Sequence, residues 1–120
     1  MKAYKLYTTA EGHSAFEEGT ITMPAPLTAP FFLIQEDDPA RSAFDWHPAP
    51  RKQYVITLRG SLEFTVTDGS TFIIHPGDVL LATDVTGSGH KWRRLSEESW
   101  IRAYIALEEG AADGFLAKGR

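Results

Sequence analysis

The sequence predicts an all-β protein, and two observations carry this prediction. Short runs rich in Val, Ile, Thr, Tyr and Phe recur along most of the chain and are separated by glycine and proline turns, a pattern typical of β-sandwiches and barrels. No window of helical length shows apolar residues at a period of 3.6 residues. Since the chain has no internal repeat and no linker, we expect one small β-barrel domain that spans residues 1–120.

Composition and charge exclude several classes of function. A chain of 120 residues can bury one core, and a hydrophobic share of 42% with a charged share of 23% is that of a globular protein. A net charge of -4 gives no reason to expect a nucleic-acid partner. The absence of cysteine excludes disulfides, thiolate metal sites and a cysteine nucleophile.

The first third of the chain predicts two strands separated by a turn and an extended segment. Residues 2–9 alternate weakly and predict a strand, and the polar residues 9–18 predict a turn. The apolar region 21–34 is interrupted by Pro24, Pro26 and Pro30, which keep it extended and prevent it from spanning a bilayer. Residues 31–35 predict a buried strand that ends at residues 36–39. With no secretory signal at the N-terminus, we expect a cytoplasmic protein with no membrane partner.

The remainder of the chain predicts strands at close spacing. They cover residues 53–58, 61–67, 71–74, 79–82, 91–95 and 100–107, with turns at Gly60 and at the hairpin dipeptide Asp68-Gly69. His13 and His75 lie in predicted turns and are expected at the solvent-exposed surface. The tail after Glu108 could hold at most a helical turn.

Two segments are expected to form the functional site. In residues 45–60, His47 precedes Pro48 and Pro50, which cannot donate to a sheet ladder. We therefore expect an edge or a loop mouth there, and a hydrogen-bonded strand only after Pro50, with Gln53 on its inner face. In residues 84–94, a glycine turn leads His90 into the next strand. If the two segments pair, His47, Gln53 and His90 converge.

The region from residue 45 to residue 94 resembles a small single-domain cupin of the conserved-barrel type. The first cupin motif has two histidines one residue apart, then a glutamate and a glycine, and the second has a Gly-Asp turn followed by a glycine three residues before a histidine. The corresponding positions here are His47, Ala49, Gln53 and Gly60 in the first motif, and Gly77, Asp78, Gly87 and His90 in the second. The resemblance implies a double-stranded β-helix, or jelly roll.

The resemblance also implies a divalent metal site, but the motif is degenerate. Ala49 has no donor atom, and Gln53 offers only a neutral amide oxygen. If Fe, Zn, Mn or Ni binds, His47, Gln53 and His90 are the expected ligands, with lower affinity than a site that has an anionic ligand. The alternative is a metal-free cavity in which the histidines hydrogen-bond to Gln53 and to each other through water.

Aromatic and basic residues flank the same region and suggest an anionic ligand. Trp46 and Trp92 could stack on a ligand at the cavity mouth. Strand alternation places Arg51 with Gln53, and Arg94 with His90. Two guanidiniums at one cavity suggest an anion between them. In the alternative, Arg51 faces water, Arg94 pairs with Glu97 or Glu98, and the aromatics are core residues.

Two functions remain open from the sequence. The first is an enzyme of isomerase, cyclase or oxygenase type that acts on a small organic acid, with His47 and His90 as general acid and base or as metal ligands. The second is a non-catalytic sensor or ligand-binding module that lacks a metal. In both cases we expect a homodimer, partly from the resemblance and partly because residues 31–34 are apolar on both faces.

Overall fold

A computed structural model describes residues 1–23, 25–38 and 40–119. Pro24, predicted to break the apolar region, and Pro39, predicted to end a strand, lie outside the described residues. These described residues form eleven β-strands and no helix, so the predicted all-β class is confirmed. The strands are β1 (Lys2–Thr8), β2 (Ser14–Ile21), β3 (Phe32–Glu36), β4 (Ala43–His47), β5 (Gln53–Arg59), β6 (Leu62–Thr65), β7 (Thr71–Ile74), β8 (Val79–Ala82), β9 (His90–Arg94), β10 (Ile101–Ala106) and β11 (Phe115–Ala117).

The strands are arranged in two sheets. The seven-stranded sheet has the order β11-β2-β1-β8-β5-β10-β3, and the four-stranded sheet has the order β4-β9-β6-β7. Neighbouring strands are antiparallel except for β1 and β8, which are parallel. Strands β3 and β4 therefore each lie at the end of a sheet. In the described part of the chain, no helix is long and apolar enough to cross a membrane.

Strand β2 was predicted as a turn because its sequence is polar. It pairs with β1 along its whole length, with Lys5 opposite Glu17. The Lys2 ammonium also lies 3.7 Å from the Glu18 carboxylate. Pairs of opposite charges stabilise neighbouring strands. Such pairs form only when β1 and β2 are neighbours, and the sequence of β2 alone does not show which strand it pairs with.

Strand β4 corrects the expectation that hydrogen-bonded structure begins only after Pro50. It pairs with β9 and ends at His47, directly before Pro48, which has no N–H to donate. The expected edge position is correct, since β4 is the last strand of its sheet.

The C-terminal tail forms strand β11 and not a helical turn. Residues 115–117 pair with residues 19–21 of β2. The approach requires a glycine on β2, because a Cβ atom at Gly19 would lie 2.1 Å from the carbonyl oxygen of Leu116. Gly19 therefore allows β11 to pair with β2.

Each face of the seven-stranded sheet covers an apolar cluster. The inner cluster joins the two sheets and includes Leu6, Leu80, Phe64 and Trp92. The outer cluster includes Ala3, Tyr54, Val79 and Leu81. Strand β8 contributes to both clusters because its side chains alternate between the two faces and all four are buried.

Candidate functional site

A cavity of about 450 Å³ lies between the two sheets. Its walls come from β3, β5, β8 and β10 of the larger sheet and from β4, β6 and β9 of the smaller one. Val55, Leu80, Phe64, Trp92 and Trp100 make much of its lining apolar. Cavities of this size, mostly apolar with a few polar groups, are typical of small-molecule sites.

His47 and His90 lie side by side at the cavity. They are directly opposite each other in the pairing of β4 with β9, and their ring centroids are 4.6 Å apart. This approach depends on Gly89, which has a φ of +78° and at which a Cβ atom would lie 2.1 Å from the His47 carbonyl carbon. The glycine before His90 therefore allows β4 to reach β9.

Hydrogen bonds orient both imidazole rings in the same way. His47 Nδ1 lies 2.7 Å from the Asp45 carbonyl oxygen, and His90 Nδ1 lies 2.6 Å from Asp84 Oδ2. Since both oxygens act as acceptors, each Nδ1 carries a proton, and in the neutral form of each ring Nε2 is an acceptor. Neither Nε2 atom has a hydrogen-bond partner among the described residues.

Asp84 is a site residue that the sequence analysis did not identify. It is completely buried, and its Oδ2 also accepts a hydrogen bond from Ser14 Oγ at 2.7 Å. Its backbone carbonyl accepts from the Ala49 N–H at 2.9 Å, which ties together the two segments of the site. The available signal was an aspartate two residues after a buried strand and six residues before His90.

Three arginines border the cavity, and no Asp or Glu of the described residues lines it. Arg51 donates from Nη1 to Gln53 Oε1 at 2.9 Å and lies over the Phe31 ring. Arg41 lies over the Phe44 ring. In the described ranges, neither Arg41 nor Arg51 forms an ion pair. The third, Arg102, is buried.

Arg41 and Arg102 were also missed by the sequence analysis. Arg102 interrupts an apolar strand and has Trp100 and Tyr104 two residues away on either side, and its guanidinium carbon lies 4.3 and 5.4 Å from the centroids of their rings. The pattern that could have identified Arg102 is an arginine with an aromatic residue two positions before it and another two positions after it.

The structure brings five of the seven predicted site residues to the cavity and leaves two outside it. His47, Arg51, Gln53, His90 and Trp92 line the cavity.

Trp46 and Arg94 do not line it. Trp46 is exposed and its ring lies under the Lys91 ammonium. Arg94 donates to the carbonyl oxygens of Ser96 and Arg41. Although Arg94 has the parity of His90, it stands four residues further along β9, roughly 13 Å away along the strand.

The donor set fits a divalent metal only in part. His47 and His90 resemble the histidine ligands of metal sites, in which one ring nitrogen donates to an oxygen and the other is free to bind the metal. The third expected ligand, Gln53, accepts a hydrogen bond from Arg51 through Oε1, and a guanidinium beside that oxygen repels a dication. No group of three or more His, Cys, Asp or Glu residues in the described ranges is arranged to hold a metal ion. The arrangement does not provide a complete metal site.

Burial lowers the pKa of His47 from its ordinary value of 6.5. The nearby His90 and Arg41 lower this pKa further, while the Asp45 carbonyl and the Asp84 carboxylate raise it. His47 is therefore neutral at neutral pH, which leaves its Nε2 atom as an acceptor.

We expect the stability of the protein to fall below pH 6.5 because of His47. Its pKa is lower in the folded state than in the unfolded state, so the unfolded chain takes up the proton first as the pH falls. The contribution is complete above the unfolded pKa and is lost as the pH falls through the folded pKa. The melting temperature of the wild type relative to His47→Gln should be constant above pH 7 and decrease below pH 6.5. His13→Gln, at an exposed histidine outside the cavity, is the control. An advantage of the wild type that grows on acidification would contradict the prediction.

No protein-family model matches the sequence, and no curated protein matches it.

Proposed function

We propose that the protein is a small-molecule-binding cupin that takes a small organic anion into its cavity. In this proposal the two sheets are the halves of a cupin-type jelly roll, and the cavity between them is the ligand site. The support is the positions of the motif residues, because His47 and His90 pair across two strands and border the cavity.

The observation that carries the choice of an anion is the charge of the cavity lining. Three arginines border the cavity, two of them have no carboxylate partner among the described residues, and no described carboxylate lines the wall. Because the chain as a whole has a net charge of -4, this local excess of positive charge is not a consequence of composition. A bound carboxylate would offset the repulsion between these guanidiniums.

We expect small carboxylates to stabilise the wild type in a thermal-shift screen. A ligand that binds only the folded state raises the melting temperature by an amount that grows with the ratio of its concentration to its Kd. The corresponding neutral amides should have little effect, and the shift should shrink at high salt. Arg51→Gln should reduce the shift, because it removes one of the positive charges that border the cavity, whereas Arg93→Gln, on the outer face of β9 and outside the cavity lining, should not. Equal shifts with acids and amides would show that the cavity does not recognise charge.

The histidines and Asp84 could by themselves catalyse the transfer of a proton from one atom of a ligand to another atom of the same ligand. Asp84 holds the His90 ring so that Nε2 can accept a proton from a ligand O–H or C–H. The resulting imidazolium keeps its Nδ1–H bond to the carboxylate, and Nε2 returns the proton to another atom of the same ligand. This is an isomerase-type function with His90 as the acid and base, His47 as the second acceptor and Asp84 as a positioning residue.

The second candidate function is ligand binding without catalysis. Ala49 and Gln53, at positions where the cupin pattern has metal ligands, favour it. Incubation of the protein in D₂O with any carboxylate that stabilises it separates the two functions. Deuterium exchange into the ligand, observed by NMR and lost in His90→Gln, supports catalysis, and binding without exchange supports a sensor.

A metal-dependent form of the function remains a proposal with His47, Gln53 and His90 as ligands. Elemental analysis of protein purified without a histidine tag tests it. Substitution of Ala49→His together with Gln53→Glu should raise the affinity, because the pair adds an imidazole and an anionic donor.

We also propose that the protein is a homodimer formed along β3. The exposed fractions of Phe31, Phe32, Leu33 and Ile34 are 40%, 62%, 41% and 55%. This strand is at the end of its sheet, and an exposed apolar edge strand is a template for pairing. Light scattering should give twice the chain mass for the wild type, and Phe32→Lys with Ile34→Lys should give a monomer. A monomeric wild type at micromolar concentration would contradict this proposal.

A further inference from the structure

Arg102 is a buried cation in the wall of the cavity. Only 6% of its surface is exposed. Its Nη1 lies 2.8 Å from Asp37 Oδ1 and donates to the Trp100 carbonyl at 3.3 Å, and its Nε donates to Tyr104 Oη at 2.9 Å. Its guanidinium carbon is 4.3 Å from the centroid of the Trp100 ring. Contacts on several sides hold the guanidinium in one position.

The second terminal nitrogen of Arg102 remains available to a ligand. Nη2 has no hydrogen-bond partner among the described residues. In that part of the chain, the only buried side-chain atoms without a partner are Asp37 Oδ2 and Asp84 Oδ1. Nη2 is therefore not fully buried, and Arg102 is one of the residues that line the cavity.

Tyr104 adds a second donor beside Nη2. Its hydroxyl oxygen accepts from Arg102 Nε, so the O–H hydrogen points elsewhere, and the residue lines the same cavity. An N–H of a guanidinium together with a phenolic O–H matches the acceptor oxygens of a carboxylate.

The other end of the cavity holds two hydrogen-bond acceptors near Gln53, whose side-chain oxygen accepts from Arg51. The Nε2 atoms of His47 and His90 are acceptors. The histidine end lies near the start of β5. Asp84 orients His90 and lies two residues after Ala82, which is opposite Gln53, the first residue of β5. Arg102 is opposite Thr57 on the same strand, four residues and roughly 13 Å further along. The wall between the two ends is apolar, with Val55, Leu80 and Phe64.

We infer that the cavity takes a hydroxy or enolic carboxylic acid with an apolar spine, and takes it in one orientation. The carboxylate binds Arg102 Nη2 and the Tyr104 hydroxyl, and the O–H of the ligand donates to the paired Nε2 atoms of His47 and His90. The inference rests on the proposed function and names the ligand class and the residue that recognises each end.

Calorimetric titration with three matched probes tests the orientation. The probes are 3-(4-hydroxyphenyl)propanoate, its analogue without the hydroxyl (3-phenylpropanoate) and its analogue without the carboxylate (4-ethylphenol). We expect the wild type to bind the hydroxy acid about tenfold or more tightly than either analogue, because each loses a hydrogen bond to a buried group.

Variants at each end of the cavity show which residues cause the preference for the carboxylate and which cause the preference for the hydroxyl. Asp37→Leu with Arg102→Met removes both buried charges together, which leaves no uncompensated ion, and it should abolish the preference for the carboxylate while keeping that for the hydroxyl. His47→Phe should do the reverse. Tyr104→Phe retains the ion pair and should reduce the carboxylate preference several-fold, which tests the site if the double variant does not fold. Arg93→Ala should change neither preference.

The outcomes distinguish this inference from the proposed function. If no carboxylate of any kind binds the wild type, both fail. If carboxylates bind but the preference for the acid survives in both the double variant and Tyr104→Phe, the proposed function stands and the site at Arg102 is wrong. If other anions bind but none of the three probes does, the ligand class is wrong.

Discussion

Asp37→Ala is expected to lower the free energy of unfolding by about 3–5 kcal/mol. The Asp37 and Arg102 side chains are 7% and 8% exposed and lie 2.8 Å apart. Removal of the carboxylate leaves the guanidinium buried without a counter-charge, and this uncompensated charge is the main source of the loss. Since small domains are stable by only about 5–15 kcal/mol, the variant should be strongly destabilised in urea.

Two matched variants separate this effect from the loss of any ion pair. Glu63→Ala breaks the pair with Arg93, which has the same 2.8 Å distance but a largely exposed arginine, and it should cost about 0–1 kcal/mol. Asp37→Leu with Arg102→Met should recover much of the stability, because both charges leave the interior together. A loss in Asp37→Ala no greater than that in Glu63→Ala would contradict the assignment of a buried pair.

Asp84→Ala is expected to destabilise the protein by about 1.5–3 kcal/mol, because the carboxylate accepts hydrogen bonds from two buried groups. The donors are His90 Nδ1 and Ser14 Oγ, at 2.6 and 2.7 Å. Without Asp84, both donors are buried with no acceptor. Urea unfolding of the variant measures the loss.

Ser14→Ala and Asp84→Asn are the controls for this prediction. Ser14→Ala removes one donor and leaves the carboxylate on His90, so it should cost about 1 kcal/mol. Asp84→Asn keeps the shape, but its amide can donate to His90 Nδ1 and thus move the ring proton to Nε2. Nitrogen NMR of the imidazole should detect this change of tautomer. An unchanged tautomer together with unchanged stability would show that Asp84 does not orient His90.

The strands that sequence patterning recovered are those with a local signal. The apolar runs in β5, β7 and β8 have alternating or buried patterns and are bounded by glycine or proline. Strands β2 and β11 have polar or short sequences and exist because each meets a partner: β2 pairs with β1, and β11 fits against Gly19. Local propensity has little influence where partner strands supply the hydrogen bonds.

The residues of the candidate site also include some that local sequence patterns placed correctly and some that they did not. The positions of His47 and His90 relative to the proline and glycine turns led to the prediction that they converge if their two segments pair, and β4 does pair with β9. The alternation rule was correct for Arg51, which lines the cavity with Gln53. It failed for Arg94, because parity specifies the face of a strand and not the distance along it.

Local patterns along the chain predicted the all-β class, and they predicted that His47 and His90 converge if residues 45–60 and 84–94 pair, because side-chain alternation, proline and glycine act within a few residues. Which charges are buried depends on contacts between distant segments. Asp84 contacts Ser14, which is 70 positions away in the sequence. Arg102, on β10, contacts Asp37, which lies directly after β3. A buried charge is stable only with its partner in place, and the partner is set by which strands become neighbours: Asp37 follows β3, which pairs with β10, and Ser14 begins β2. The residues that distinguish this cavity therefore emerge only when distant segments are packed against each other.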